Sequence, residues 1–219
     1  IKDDLMNYQD AIKDFDMAIS LLPDYPLYYY NRAVSKNNIE DYLGVISDLD
    51  QVIKNDSTNL IAYKFRGQSK YNLKMFKEAI KDFDSAISLD SSYSELYYLR
   101  GTCKGFFKDY KEAIKDFDEA ISIDSSVSIY YSNRAVSKIK IKDFRGAIED
   151  YTKLIEFDVN DPEYYLKRAV VKYDMNDNDG ACEDWTKANE LGSEEAVLKL
   201  KKFCRIYQMK QELKNGVKF

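Results

Sequence analysis

The sequence contains no histidine among its 219 residues, and it has only 3 prolines, 8 glycines and 3 cysteines. Without histidine, the chain lacks the side chain that proteins use most often as a general base and metal ligand near neutral pH. So few prolines and glycines cannot supply the many turns of an all-β fold. These scarcities predict an all-α protein, and they argue against an enzyme.

The three cysteines, Cys103, Cys182 and Cys204, are widely spaced, and none belongs to a CxxC pair. Three cysteines without histidine cannot provide the four ligands of a structural zinc site. We therefore predict no metal and no other cofactor, and we interpret the cysteines as free thiols that fill helix interfaces as small apolar side chains. Free thiols favour a reducing compartment, or a protein that is indifferent to the redox state.

No run of about 20 apolar residues, the length that crosses a membrane, occurs in the chain. No signal peptide is visible, so we expect a cytoplasmic protein. The chain begins at Ile1 without an initiator methionine, and a removed signal or anchor therefore stays open. Lys and Arg total 33 against 38 Asp and Glu, a net charge of −5. This acidity argues against nucleic acid as a partner, because phosphate binding needs a basic surface.

The dominant feature of the sequence is an internal repeat with a period of 34 residues. The segment FKEAIKDFDSAI at residues 76–87 returns 34 residues later as YKEAIKDFDEAI at residues 110–121. The copy YQDAIKDFDMAI at residues 8–19 precedes the first by 68 residues, which is two periods. Weaker copies begin in the same register at Tyr42, Phe144 and Asn178. The chain is therefore predicted to be a repeat protein from end to end.

Each copy carries the apolar spacing of a helix. Ala79, Phe83 and Ala86 lie at i, i+4 and i+7, and so they share one face of a helix. A single helical hairpin cannot bury such a face alone, so neighbouring hairpins stack and share a continuous core.

These residues resemble the tetratricopeptide repeat family, whose unit is a 34-residue helix–turn–helix. The resemblance implies an all-α, right-handed α–α superhelix, or solenoid. Five units then fill residues 26–193, in the frames 26–59, 60–93, 94–127, 128–161 and 162–195. Residues 194–214 are expected to form a helix that caps the last unit, with a frayed tail at residues 215–219.

Residues 1–25 correspond to a partial first unit, mainly its second helix, with the end of a first helix in residues 1 to about 6. The apolar face around Ala11, Phe15 and Ala18 then lacks part of its cover. Either the chain is a fragment of a longer array, or this end associates with another chain.

Positions are numbered from the first residue of each 34-residue unit. Two charged positions recur in every full unit: arginine at position 7 and aspartate at position 23. The residue after the arginine, at position 8, is alanine or glycine in every full unit. A guanidinium beside so small a residue faces the paired helix and needs a carboxylate partner there. We predict an ion-pair ladder, within or between units; the alternative is that the arginines bind an acidic ligand. The arginines are Arg32, Arg66, Arg100, Arg134 and Arg168, and the aspartates are Asp14, Asp48, Asp82, Asp116, Asp150 and Asp184. A lysine at position 11 either shares these aspartates or reaches solvent.

The resemblance also implies a concave groove, lined by positions 2, 5, 6, 9, 12 and 13 of the first helices. Aromatic and amide side chains at these positions suit the binding of a peptide. The candidate partner-binding residues are Tyr30, Asn31, Asn37, Lys64, Gln68, Tyr71, Tyr98, Thr102, Phe106, Ser132, Asn133, Lys140, Lys167 and Tyr173. The alternative is that exposed tyrosines reflect only a composition with 19 tyrosines.

Family members that bind chaperone tails hold the C-terminal carboxylate with a clamp of lysine, asparagine and arginine. Starting from Lys64, the corresponding positions here are Gln68, Leu99, Ile129 and Asn133. The clamp is absent, so chaperone C-terminal tails are not expected as ligands.

The sequence thus predicts a non-enzymatic scaffold that binds a peptide or protein segment in its groove, since P-loop, GxGxxG and GxSxG motifs are also absent. One alternative is a regulatory or localising segment of a larger enzyme or secretion assembly. Another is self-association through the exposed N-terminal repeat.

Overall fold

The computed structural model describes the backbone of residues 2–205 and 207, and the side chains from residue 7 onward. Over this part of the chain the structure contains twelve α-helices and no strand. The helices are α1 (Lys2–Leu21), α2 (Pro26–Asn38), α3 (Tyr42–Asn55), α4 (Leu60–Asn72), α5 (Phe76–Leu89), α6 (Ser94–Phe106), α7 (Tyr110–Ile123), α8 (Ser128–Lys140), α9 (Phe144–Phe157), α10 (Pro162–Asp174), α11 (Asn178–Glu190) and α12 (Glu194–Phe203).

The helices repeat with the period of the sequence. The first helices α2, α4, α6, α8 and α10 each contain 13 residues. The second helices α3, α5, α7 and α9 each contain 14 residues. Each begins 34 residues after its counterpart in the preceding hairpin.

The turn inside each hairpin places a residue in the left-handed region of the backbone. These residues are Glu40, Lys74, Lys108, Lys142 and Asn176, with φ between 60° and 66°. At the end of α6, for example, the N–H of Lys108 donates to the carbonyl of Gly105, and the N–H of Asp109 donates to that of Lys104. These bonds satisfy the last carbonyls of the helix and reverse the chain. Side chains with a Cβ pay a steric cost there that glycine does not.

Replacing Lys108 by glycine is therefore expected to raise the free energy of unfolding by about 1 kcal/mol. In contrast, Lys81→Gly is expected to lower the free energy of unfolding by about 1 kcal/mol, because it places a glycine at an exposed position inside α5. Thermal and urea unfolding of both variants measures the difference. A destabilised Lys108→Gly variant would show that the turn does not hold the left-handed conformation.

The chain divides into two compact units, residues 1–124 and residues 125–219. In the first unit, helices α1 to α7 pack each against the next in order. Its core is built from small residues and aromatic rings. It contains Ala33, Val45, Leu49, Val52 and Ala62 in one cluster, and Ala79, Phe83, Ala86, Leu96 and Cys103 in another. A Cβ added at Gly67 would lie 2.7 Å from Cε1 of Phe83, so α4 and α5 approach as closely as a glycine permits.

In the second unit, helices α8 to α12 likewise pack in sequence order. Its largest buried side chain is Trp185, the only tryptophan of the chain. Around it lie buried residues of α10, α11 and α12 and the residue that follows α12: Tyr165, Leu166, Ala169, Ala181, Cys182, Ala188, Ala196, Leu200 and Cys204. Helix α12 thus covers the apolar face of the last hairpin. The predicted continuation of this helix to residue 214 and the tail at 215–219 lie outside the described residues.

Two expectations were wrong. The N-terminal segment is one continuous helix, α1, rather than the end of a first helix followed by a turn and a second helix. About six residues are too short to form a stable separate helix, so the second helix extends through them.

The cysteines are also not all free. Cys182 and Cys204 form a disulfide with a Cα–Cα distance of 5.7 Å, although 22 residues separate them in sequence. Helix α12 folds back on α11 and brings the two sulfurs together. Cys103 is a free, buried thiol, as predicted. Burial raises the pKa of the Cys103 thiol to about 12, so it stays protonated and unreactive.

Among the helices of the described residues, none is both long enough and apolar enough to span a membrane.

Candidate functional site

The predicted groove residues lie on the first helices, α2, α4 and α6 in the first unit and α8 and α10 in the second. Phe106, Lys140, Lys167 and Tyr173 are exposed, and the other ten candidates are half-buried. Many of the half-buried side chains contact neighbouring groups of the same unit. These contacts separate the side chains that are available to a ligand from those that hold the fold.

Lys64 and Gln68 are held by an acid, Glu95, that was not among the predicted site residues. Lys64 Nζ forms an ion pair with Glu95 Oε2, and Gln68 Nε2 donates to Glu95 Oε1 at 2.8 Å. Glu95 is the position-2 residue of the next first helix, so this polar cluster ties α4 to α6. The side chains of Lys64 and Gln68 are therefore both held by Glu95 of α6, and a ligand would have to displace Glu95 to bind them.

An aromatic cluster joins the same two hairpins. The rings of Phe76 and Phe106 stack with centroids 4.1 Å apart, and the ring of Tyr71 lies 5.6 Å from Phe76 and 6.5 Å from Phe106. Burial, followed by the proximity of Tyr98 and Cys103, raises the pKa of the Tyr71 hydroxyl. Phe106 nevertheless leaves 58% of its surface exposed. It is the candidate of this cluster that a partner reaches most easily.

Two polar candidates, Thr102 on α6 and Asn133 on α8, form hydrogen bonds with backbone carbonyls of their own helices. Thr102 Oγ1 donates to the carbonyl of Tyr98 at 2.8 Å, and Asn133 Nδ2 donates to that of Ile129 at 3.0 Å. The Tyr98 ring also packs 6.2 Å from Phe117. Asn31, Asn37 and Ser132 are half-buried and Lys140 is exposed.

Between α2 and α4 there is an apolar cleft of about 330 Å³. Its lining residues are Pro26, Leu27, Tyr30, Val52, Asn59 and Ile61. Tyr30, a predicted site residue, also packs edge-on against Phe65 at 6.4 Å. No charged side chain lines this cleft, in contrast to the polar cluster at Glu95.

The second unit contains a cleft of about 190 Å³ at the same face of α10. Its lining residues are Ile139, Tyr151, Glu163, Leu166, Lys167, Val170, Val171, Asp174 and Glu195. Lys167 lies 3.3 Å from Glu163 on its own helix. Tyr173 faces elsewhere, with its ring 4.8 Å from that of Phe203 and 5.8 Å from that of Trp185.

A set of exposed aliphatic side chains at positions 2 and 9 of the first helices was not among the predicted groove residues. They are Leu27, Ile61, Ile129, Val136 and Val170. The repeat register alone is enough to identify Leu27, Ile61 and Ile129, because each occupies position 2 of its 34-residue repeat. Scattered apolar side chains are ordinary on a surface. A set that recurs at the same positions of several repeats is not scattered, and such exposed apolar surfaces can mark interaction sites.

Every position-7 arginine pairs with the position-23 aspartate of its own hairpin. In the third full hairpin, Arg100 Nη2 lies 2.7 Å from Asp116 Oδ1, and Nε donates to Oδ2 at 3.1 Å, a two-point contact. The pairs are Arg32–Asp48, Arg66–Asp82, Arg100–Asp116, Arg134–Asp150 and Arg168–Asp184, with Nη2–Oδ1 distances of 2.5 to 2.7 Å. Asp14 is exposed, and its counterpart position sixteen residues earlier precedes Ile1.

The position-11 lysines share the same aspartates, which decides between the two alternatives left open by the sequence. Lys104 Nζ lies 2.7 Å from Asp116 Oδ2. The equivalent pairs are Lys36–Asp48, Lys70–Asp82, Lys138–Asp150 and Lys172–Asp184, at 2.8 to 3.0 Å. Each buried carboxylate thus balances two cations, and each arginine also stacks over the tyrosine three residues before it. The guanidinium carbons lie 5.4 to 5.7 Å from the ring centroids.

A further partner links hairpins and was not predicted. Arg66 Nη1 lies 2.6 Å from Asp50, and Arg100 Nη1 lies 2.7 Å from Asp84, both in the preceding second helix. Arg32 makes the same contact with Asp16, and Arg168 donates to Thr152 Oγ1 at 2.9 Å. The ladder therefore connects residues both within and between hairpins.

For three of the arginines, these contacts raise the pKa. Hydrogen bonding to Asp48 raises the pKa of Arg32 above its ordinary value, against the opposing effect of burial. For Arg66 and Arg100 burial is the largest influence and lowers the pKa, but hydrogen bonds and charges of the paired aspartates outweigh it, so the pKa is raised. The guanidinium donors already have acceptors. An acidic ligand would have to displace those acceptors to bind here.

No cluster of histidine, cysteine or carboxylate side chains within the described residues has the arrangement of a metal site.

Comparison with known proteins supports a helical repeat. The family model described as tetratricopeptide repeat matches residues 62–93 and 94–127. No curated protein matches the chain. The structure is similar to that of YrrB, described as a TPR protein with an unusual peptide-binding site, with 19% identity, a TM-score of 0.75, and coverage of 86% of this chain and 97% of that one.

Two other solved structures are similar. One is MamA, with 21% identity, a TM-score of 0.72, and coverage of 81% of this chain and 94% of that one. The other is the C-terminal part of a TPR repeat-containing protein from Cytophaga hutchinsonii, with 18% identity, a TM-score of 0.73, and coverage of 87% and 75%. The fold class is that of an all-α helical repeat protein of the superhelix type. Within the chain, residues 62–127 match the tetratricopeptide repeat, and the similar solved structures share the helical-repeat fold.

Proposed function

We propose that the protein is a non-enzymatic scaffold that binds a peptide or protein segment along the first-helix face. The observation that carries the proposal is the apolar cleft between α2 and α4, with Leu27 and Ile61 exposed at its edge. A concave apolar site with a few polar groups is the usual form of a ligand site. Asn59 supplies a polar group, although its side chain already accepts from the N–H of Ala62.

The charge distribution favours contact through apolar rather than ionic groups. The five arginines at position 7 and the five lysines at position 11 are held by aspartates of their own hairpins. In the first unit, Lys64 is also paired, with Glu95. The groove face there is thus close to neutral, and aliphatic and aromatic side chains are what it offers to a partner. Such surfaces bind the apolar residues of helical or extended segments.

Selection of short random peptides by phage display against the purified protein tests this function. Peptides selected on the wild type are expected to bind the double variant Leu27→Gln/Ile61→Gln about tenfold more weakly or worse, because glutamine removes the apolar contact. Glutamine keeps a good helix propensity, so folding is retained. Fluorescence anisotropy with labelled synthetic peptides measures the affinity.

The matched control is Leu43→Gln, because Leu43 lies on the second helix α3 and is 67% exposed. It should bind the selected peptides as the wild type does. Failure to select any peptide, or equal binding to the double variant, contradicts the proposed site. Thermal unfolding of all three proteins confirms that they are folded.

A further inference from the structure

The second unit's cleft at α10 has a different chemistry from the cleft between α2 and α4. Its floor contains the buried side chains of Tyr151, Leu166 and Val171. Val170 and Ile139 add aliphatic surface to its lining, and Val170 is exposed. A ligand side chain that enters the cleft therefore meets apolar atoms first.

Acidic groups dominate the charged lining of this cleft. Three carboxylates, Glu163, Asp174 and Glu195, line it together with one cation, Lys167. Glu163 pairs with Lys167 at 3.3 Å, and Glu195 pairs with Lys199 at 3.5 Å. No cation among the side chains that the structure describes lies within ion-pair distance of Asp174. Among the described side chains, Asp174 is thus the carboxylate of this lining that has no ion pair.

Three cations of α8 and α10 are paired with aspartates outside the cleft. Arg168 and Lys172 of α10 are committed to Asp184, and Lys138 of α8 to Asp150. The negative charges of Glu163 and Asp150 also act on Tyr151 at the floor of the cleft. Burial, and then the charges of Glu163 and Asp150, raise the pKa of Tyr151 to about 12, so its hydroxyl remains protonated and neutral at physiological pH.

We infer that this cleft binds a peptide segment in which a lysine or arginine lies beside an aliphatic residue. The aliphatic side chain fills the apolar cleft, and the stem of the basic residue lies along Val170 while its cation faces Asp174. Long basic side chains bind in this way, with an apolar stem on an apolar surface and a charged end at a carboxylate. The inference rests on the proposed function, and it names the chemistry of the segment that the second unit would recognise.

Peptides selected on the wild type by phage display test this inference by their sequences. Lysine or arginine next to leucine, isoleucine, valine or methionine is expected to be enriched over the starting library. A labelled synthetic peptide of this type should then bind Asp174→Lys about tenfold more weakly than the wild type, and the loss should shrink when the peptide lysine is replaced by glutamine. A lysine at residue 174, the last residue of α10, suits the helix dipole and should not impair folding.

The control is Glu183→Lys, which makes the same charge change at an exposed position of α11 that does not line the cleft. Its affinity for the peptide should stay within about twofold of the wild type. Selected peptides without enrichment of basic residues, or equal binding to Asp174→Lys and Glu183→Lys, would overturn this inference and leave the scaffold function standing. If no peptide is selected, the proposed function fails as well.

Discussion

Replacing Asp116 by asparagine is expected to lower the free energy of unfolding by about 3 kcal/mol, one of the largest effects of a single substitution in this chain. The Asp116 side chain is only 4% exposed and faces both Arg100 and Lys104 at 2.7 Å. Asparagine keeps the size of the side chain but removes its charge. Arg100 and Lys104 are then partly buried without the carboxylate that balanced their charges.

The same arginine provides a matched control. Asp84 also pairs with Arg100 at 2.7 Å, but its side chain is 53% exposed. Asp84→Asn should cost no more than about 1 kcal/mol, since exposed ion pairs contribute little. Urea unfolding of the two variants compares the two contacts directly. Equal midpoints for Asp116→Asn and Asp84→Asn would mean that burial does not set the strength of the ladder.

The dependence of stability on salt concentration also distinguishes the Asp116 contact from the Asp84 contact. Added sodium chloride screens exposed charges more strongly than buried ones. The small effect of Asp84→Asn should therefore vanish at high salt, while most of the effect of Asp116→Asn should persist.

An ion pair such as Arg100–Asp116 could be predicted from the sequence because the same two residue types recur in every hairpin. They recur at positions 7 and 23 of each hairpin, and a buried guanidinium needs a carboxylate, so the sequence predicted an Arg–Asp pair. It left open whether the pair forms within a hairpin or between hairpins, and the structure places it within the hairpin. The second acceptor was harder to predict, because its identity varies from Asp50 and Asp84 to Thr152. A threonine hydroxyl accepts one N–H as an aspartate does, so geometry is conserved where chemistry is not.

The groove illustrates a different limit. The repeat register correctly placed Tyr30 and Phe106 on first helices, but register does not say which neighbours claim a side chain. Lys64 and Gln68 are occupied by Glu95, a residue one hairpin away, and only the packing of α4 against α6 reveals this. The position of a residue within its repeat predicts which way its side chain points. Whether that side chain is free to bind a ligand depends on the neighbouring residues, which differ from repeat to repeat.

The disulfide marks the third limit. Cysteine spacing gave no sign that Cys182 pairs with Cys204, since one lies in α11 and the other follows α12. Disulfides persist mainly in oxidising compartments. The pair therefore contradicts the interpretation of three free thiols, and it removes the reason for expecting a reducing compartment.

Reduction of this disulfide is expected to destabilise the second unit by about 3 kcal/mol, because the bond closes a chain segment of 22 residues and limits the freedom of the unfolded state. Trp185 is a local probe, since it is the only tryptophan and its ring lies 5.7 Å from that of Phe203 in α12. Urea unfolding followed by tryptophan fluorescence, with and without a phosphine reductant, should show a lower midpoint for the reduced protein.

Two variants identify the bond as the cause. Cys182→Ala/Cys204→Ala should unfold at the lower midpoint whether or not reductant is present. Cys103→Ala should keep the response to reductant, because Cys103 is a free thiol in the first unit. If a thiol assay counts two newly freed cysteines and the fluorescence midpoint does not move, the disulfide does not secure α12. The cover of the last hairpin would then depend on Ala196 and Leu200 packing against α10 and α11 alone.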